Sequence, residues 1–341
     1  MISRISSALL ALWIVLALAP ASVQAGQAAA EILAAVQSKL KTGQPLDEIE
    51  EKLGDLPDAE LAAVVKGLDR GWPTLRNRYL DALKSDARHH GSASSQTNSR
   101  IRKLRADFDR VKQMPEGAMK PQLHSVSKPA IDELRSLLSP SPEDLADAGG
   151  LPLMNLRKAA HALAKFRDKA LEAALSPTPS DSVKQLDAAE QSLARQASGL
   201  DRDGLRVLEK NRKIAKDAGI PPEVAEGIEE CNLWRLYVGL NALTIDPKLC
   251  EAARGHSTDM AERGFFSHTS PVPGKTKFTD RARLAGTTAG GENIYMGSEA
   301  PHAANKGWFF SPGHHKNMFR KGFNRIGLGH HNGYWTQMFG R

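Results

Sequence analysis

Asn332-Gly333, set between Gly-Leu-Gly-His-His and Tyr-Trp-Thr-Gln-Met-Phe, limits the fold of this chain more than any other residue pair. A two-residue loop of this kind suits a type I′ turn, whose positive φ angles match the twist of two antiparallel strands. Pairing outward from the turn puts Ile326, Leu328, Trp335 and Phe339 on one face. Gly327 and Gly329 fall on the other, where missing side chains let a helix or a ligand come close. Helical patterns precede this hairpin. A helix is expected from Pro221-Pro222, with Val224, Ile228, Cys231 and Trp234 on one side and its end near Gly239. Asp246-Pro247 opens a second, with Leu249, Ala253 and His256 or Met260 at helical spacing, and Thr279 is expected to cap a short third that Gly286 ends. Helices followed by a terminal antiparallel hairpin predict an α+β domain.

Upstream the chain changes character. Between residues 27 and 225 the aromatics are Trp72, Tyr79, Phe108 and Phe166, whereas His256, His268, His302, His314, His315, His330 and His331 all lie beyond. This shift divides the mature chain near residue 222, giving a mostly α-helical region over 26–222 and a second domain over 223–341. Within the first region Ile101, Leu104, Phe108, Val111 and Met114 recur at helical steps, as do Leu156, Ala160, Leu163 and Phe166, and Leu186, Ala189, Leu193 and Ala197. Leu46, Ile49 and Leu53 form a shorter stripe. Pro/Ser clusters at 139–142 and 176–182 break the helices, and Gly91 to Ser99 reads as a polar linker. The His89-His90 pair reads as a solvated loop. Such stripes are ordinary bundle core, so this half supplies architecture and little function.

Residues 1–25 read as a signal peptide: a positive end over Met1 to Arg4, an apolar run from Ala8 to Ala19, and small residues at Val23-Gln24-Ala25. Cleavage before Gly26 and export to a periplasm or to the outside are expected, an uncleaved anchor being the alternative. No later apolar run is long enough to cross a bilayer. In an oxidising compartment Cys231 and Cys250, 19 residues apart, can be read as a bridge worth about 3 kcal/mol. They can equally be read as two buried thiols acting as small hydrophobes. The net charge of +7 and pI near 9.3 suit anionic surfaces such as cell wall or lipid head groups. No basic stripe with interleaved aromatics supports nucleic acid.

Candidate chemistry concentrates in three segments: Phe-Phe-Ser-His at 265–268, Gly-Gly-Glu-Asn-Ile at 290–294, and Trp-Phe-Phe-Ser-Pro-Gly-His-His at 308–315. Each brings one potential metal ligand: His268, Glu292 and His314. Two imidazoles and a carboxylate leave the fourth position of a tetrahedral zinc open to water. The alternative is a set of hydrogen bonds in which both imidazoles meet Glu292 and hold a cleft together. His256 reads as a packed, hydrogen-bonded core residue, and His315, adjacent to His314, as exposed. Trp308 can wall an apolar groove or belong to the core. No Gly-x-Ser-x-Gly elbow supports Ser267 or Ser311 as a nucleophile.

These segments, with Ala252 to Ser257, Asp259-Met260, Ile326 to Gly329 and Tyr334 to Gln337, resemble a CAP domain over about 226–341. That fold is shared by cysteine-rich secretory proteins, antigen 5 and pathogenesis-related 1 proteins, here in its bacterial, SCP-like form. The resemblance implies an α-β-α sandwich around a small antiparallel sheet and a cleft of two histidines and two glutamates that holds a divalent metal in some members. His268, Glu292 and His314 match three of the four. The second glutamate should follow Trp308 by three positions, where this chain has Ser311, which weakens tight metal binding. The expectation is a non-enzymatic binding module with a cleft of His268, Glu292, His314, Ser311 and Trp308, its partner a lipid, an envelope glycan or a protein. That cleft is open to a divalent cation such as zinc on His268, His314 and Glu292, and a metal-dependent hydrolase using the same three residues is the runner-up. A scaffold binding protein partners through the helical region is the third reading.

Overall fold

The computed structural model describes residues 26–90, 95–178 and 180–341; the expected signal segment lies outside them. The helices come in chain order as α1 (Gln27–Thr42), α2 (Asp47–Glu50), α3 (Asp58–His90), α4 (Ser95–Gln113), α5 (Glu116–Gln122), α6 (Lys128–Leu138), α7 (Pro142–Ala148), α8 (Gly150–Ala173), α9 (Ser182–Gln196), α10 (Arg202–Asp217) and α11 (Pro222–Tyr237). Then follow β1 (Thr244–Ile245), α12 (Pro247–Arg263), α13 (Phe278–Leu284), β2 (Gly291–Met296), α14 (Pro301–Phe309), α15 (Pro312–Met318), β3 (Arg325–His331) and β4 (Tyr334–Gly340).

Two compact units emerge, and they cut the chain differently from the shift in composition at 222. Of the described residues, one unit comprises 26–90 and 139–198, and the other comprises 95–138 and 199–341. Specific contacts explain why the second unit begins so early. Arg105 on α4 donates through Nε to the Tyr237 carbonyl at 2.9 Å, and Phe108 packs edge-on against Phe319. Asn211 on α10 brackets β1, donating to the Leu243 carbonyl and accepting from the Ile245 amide, both at 2.8 Å.

In the first unit the apolar stripes make the core, with Leu46, Ile49, Leu53, Ala160, Leu163, Phe166 and Leu186 all buried. A carboxylate lies among them. Glu190 accepts from Tyr79 Oη at 2.5 Å and Arg157 Nε at 3.0 Å, with His161 Nε2 at 2.9 Å. Burial opposes its charge, but the bonds from His161, Tyr79 and Arg157 outweigh burial and hold its carboxyl below the usual range. The expected linker at 91–99 is shorter than its composition suggests, because α4 already starts at Ser95. His89 and His90, expected in a loop, end α3, and their side chains lie outside the described residues.

The second unit contains a four-stranded sheet in the order β1-β3-β4-β2. Its three longer strands are antiparallel, but the two-residue β1 pairs parallel to β3, so the sheet is mixed rather than purely antiparallel. The Asn332-Gly333 turn has φ of 47° and 73°, as a type I′ turn requires. Ile326 faces Phe339 and Leu328 faces Gln337 across β3 and β4. On the opposite face the helix does come close: a Cβ on Gly329 would meet the Arg254 amide nitrogen of α12 at 2.0 Å. Helices α12 and α13 cover that face, and α11 and α14 the other, giving the expected three layers. Asp246 caps α12, accepting from the amides of Lys248 and Leu249. Lys277 rather than Thr279 precedes α13, its amide donating to Asp280 Oδ2 at 3.0 Å. Cys231 and Cys250 are both buried and unbridged, and burial pushes their thiols up to about 12.

Candidate functional site

Strand β2 lies at the edge of the sheet, so residues from both helical layers can meet around it. Glu292 is its second residue, on the face covered by α12 and α13 because it pairs with Met338. His268 comes from the loop after α12, and His314 from the first turn of α15 in the other layer. The three segments therefore converge, as their sequences predicted. His268 Nδ1 is 2.9 Å from Glu292 Oε1, and the His268 and His314 ring centroids are 6.1 Å apart. His268 is half exposed, whereas the Glu292 carboxylate is almost wholly buried.

One partner of this site was not anticipated. Arg281 on α13, itself buried, donates from Nη2 to Glu292 Oε2 at 2.6 Å. The same guanidinium donates to the carbonyls of Lys275 at 2.7 Å and His268 at 3.1 Å, so it fixes both the loop and the carboxylate. Each oxygen of Glu292 thus has its own charged or polar partner. Because Nδ1 of His268 is turned to the carboxylate, Nε2 is the nitrogen left to face outward, the arrangement in which a carboxylate orients a histidine. Burial first, and His268 second, lower the pKa of His314 from its ordinary value.

A layer of amides supports the strand. Asn293 Nδ2 donates to Gln337 Oε1 at 3.0 Å and to the His314 carbonyl at 3.3 Å, and Asn317 Nδ2 donates to Asn293 Oδ1 at 3.0 Å. Asn317 also reaches the Glu292 carbonyl at 3.2 Å. These bonds tie α15 to β2 and set where His314 stands.

Trp308, expected in the cleft, lies elsewhere. Trp308 is 1% exposed and donates from Nε1 to the Ile294 carbonyl, so it is core beneath β2 rather than a wall of the cleft. Ser311 occupies the N-cap position of α15, half buried, without a side-chain cap bond; its carbonyl accepts from the His315 amide. His315 was expected to be exposed and is fully buried, ringed by Phe108, Phe309 and Phe319, with Nδ1 2.9 Å from the Phe309 carbonyl. Adjacent side chains point oppositely only on an extended backbone; on α15 the next residue turns only about 100°, into the core. His256 is the packed core histidine expected, with Nε2 3.1 Å from the Ser267 carbonyl and burial pressing its pKa to about 4.

The donor set does not fit a three-ligand metal shell. Among the described residues, the grouping that places three ligand atoms within 4.8 Å of one another is His161, Asp187 and Glu190 in the first unit, not His268, Glu292 and His314. Glu292 is moreover paired with Arg281, leaving the two imidazoles as the donors.

The sequence model of the cysteine-rich secretory protein family, CAP, matches residues 228–339. The chain is 35% identical over 114 residues to YkwD, an uncharacterised protein of Bacillus subtilis strain 168, covering 33% of this chain and 44% of that protein. It is 35% identical over 108 residues to YlbC, an uncharacterised membrane protein of the same organism, covering 32% and 31%. The chain thus spans less than half the length of the curated relatives it matches. A crystal structure of an extracellular protein containing a SCP domain from Bacillus anthracis str. Ames is 31% identical and has a TM-score of 0.34, covering 35% of this chain and 40% of that one. By this match, with its three segments brought together around β2, the region 228–339 is a CAP domain of the cysteine-rich secretory protein family.

Proposed function

We propose that the chain is an exported binding module of the cell envelope or the extracellular space, with the His268/His314 hollow as its recognition site and an envelope glycan as its ligand. One observation carries this reading: both oxygens of Glu292 are occupied, by Arg281 and by His268. A carboxylate so held is poorly placed to act as a general base or as the anionic ligand of a hydrolytic metal. What the hollow offers instead is imidazole nitrogens that donate and accept hydrogen bonds, as sugar hydroxyls require. The loss of Trp308 to the core removes the aromatic wall that an apolar lipid would favour. The net charge of +7 suits anionic wall polymers, and no described helix is long and apolar enough to cross a membrane.

The closeness of the His268 and His314 rings, 6.1 Å between centroids, favours a second reading, a divalent cation such as zinc held by these two imidazoles with Glu292 orienting the first. Elemental analysis of wild type and His268→Ala, beside co-sedimentation with purified cell-wall glycan, separates the two. The binding module predicts metal far below one per chain in both proteins and glycan binding weakened in the variant. A stoichiometric metal lost in His268→Ala, together with chelator-sensitive hydrolysis, overturns it.

A further inference from the structure

The first unit, which the family match does not reach, contains a cavity of about 930 Å³ between the end of α1, the second half of α3 and the first turns of α8. Its floor is apolar, formed by the buried Leu40, Leu153 and Ala159. Leu151 stands 69% exposed on its lining, a large apolar side chain left in water. Size and an apolar floor together match small-molecule sites better than packing defects, which are rarely larger than a few waters.

The charges on the wall narrow the class of occupant. Lys41, Arg78 and Lys158 line the cavity, and among the described residues none of them has an acidic partner. Some cations of the same unit are paired, as in Lys39 with Glu48, Lys165 with Asp47 and Arg167 with Asp69; what distinguishes Lys41, Arg78 and Lys158 is that they gather on one lining. Asp86, the carboxylate on the lining, lies against Gly149, where an added Cβ would meet its Cγ at 3.3 Å. Three cations around an apolar floor, with one carboxylate to offset them, leave a local positive excess that an anionic group would neutralise.

We propose that this cavity binds an anionic amphiphile, its acyl chain on the Leu40/Leu153 floor and its carboxylate or phosphate head against Arg78, Lys158 and Lys41. The site is independent of the His268 hollow. Calorimetric titration of the purified full chain with monomeric dodecanoate, dodecyl phosphate and dodecanol tests it. Both anions are expected to bind more tightly than dodecanol at one site, and the tighter anion names the head group. Arg78→Gln with Lys158→Gln should weaken the anions roughly tenfold and leave dodecanol unchanged, since two partly solvated ion pairs are worth about that much. Ala82→Phe, which fills the cavity from α3, should remove binding of all three, and His268→Ala should change none. The proposal is overturned if wild type binds neither anion, if the double Gln variant binds them as wild type does, or if binding survives in an Ala82→Phe protein with an unchanged circular dichroism spectrum.

Discussion

Glu292 and Arg281 are each buried to within about one percent, so neither can be changed alone without leaving the other as an unpaired charge out of water. Arg281→Met should therefore cost about 3–5 kcal/mol of stability in urea unfolding, whereas the double variant Arg281→Met/Glu292→Met should lose clearly less. Equal losses would mean that the pair is not what the site depends on. Two buried histidines set the acid limit of the same unit. Burial lowers His256 to about 4 and His315 to about 3, from 6.5. Below pH 6.5 the unfolded chain takes up protons that the folded chain refuses, so stability should fall from there toward pH 4, by up to about 1.4 kcal/mol per pH unit per histidine. His315→Phe, which keeps an aromatic ring among Phe108, Phe309 and Phe319, should flatten that slope; an unchanged slope in acid unfolding would contradict it. His268, Glu292 and His314 were legible because each sits in a short, distinctive motif. Arg281 was not, since an arginine on a short helix reads as solvated and only the tertiary fold turns it under the loop.

At the scale of elements, the contact between β3 and α12 rests on absent side chains. A Cβ on Gly327 would meet the Leu249 carbonyl carbon at 2.3 Å, and one on Gly329 the Arg254 amide nitrogen at 2.0 Å, both of them backbone that cannot swing aside. Gly329→Ala should therefore push α12 from the sheet and destabilise by about 1–3 kcal/mol. Gly255, inside the same helix, has nothing within 4 Å of its added Cβ. Gly255→Ala should stabilise by roughly 0.5–1 kcal/mol through helix propensity alone. Urea midpoints of the two variants should move in opposite directions, and a shared direction would refute the assignment of the close face. The hairpin, its register and this close face could be read from Asn332-Gly333 and from alternation. The parallel strand β1 could not, because two residues carry no periodicity and Thr244–Ile245 is held by Asn211, far back in the chain.

At the scale of the molecule, composition locates where aromatic residues become dense, but it does not say which helices pack with which. The stripe Ile101, Leu104, Phe108, Val111 resembles the stripes of the first unit, yet Phe108 packs on Phe319 and Arg105 bonds Tyr237. A heptad-like stripe specifies a buried face, not the partner that buries it. Each unit nevertheless has its own apolar core, which predicts separate cooperative unfolding. Glu190 is the means to test it, because its bonds to Tyr79, Arg157 and His161 all stay within the first unit. Glu190→Leu leaves the Arg157 guanidinium short of its buried partner and should weaken that unit by about 3 kcal/mol. Cys231 and Cys250, buried in the second unit with thiols raised to about 12, report on that unit alone. In the variant, part of the helical circular dichroism should be lost at lower urea, while the two thiols stay protected from alkylation until the wild-type concentration. If thiol exposure shifts in step with the helical signal, the two cores melt as one block and the division of the chain fails.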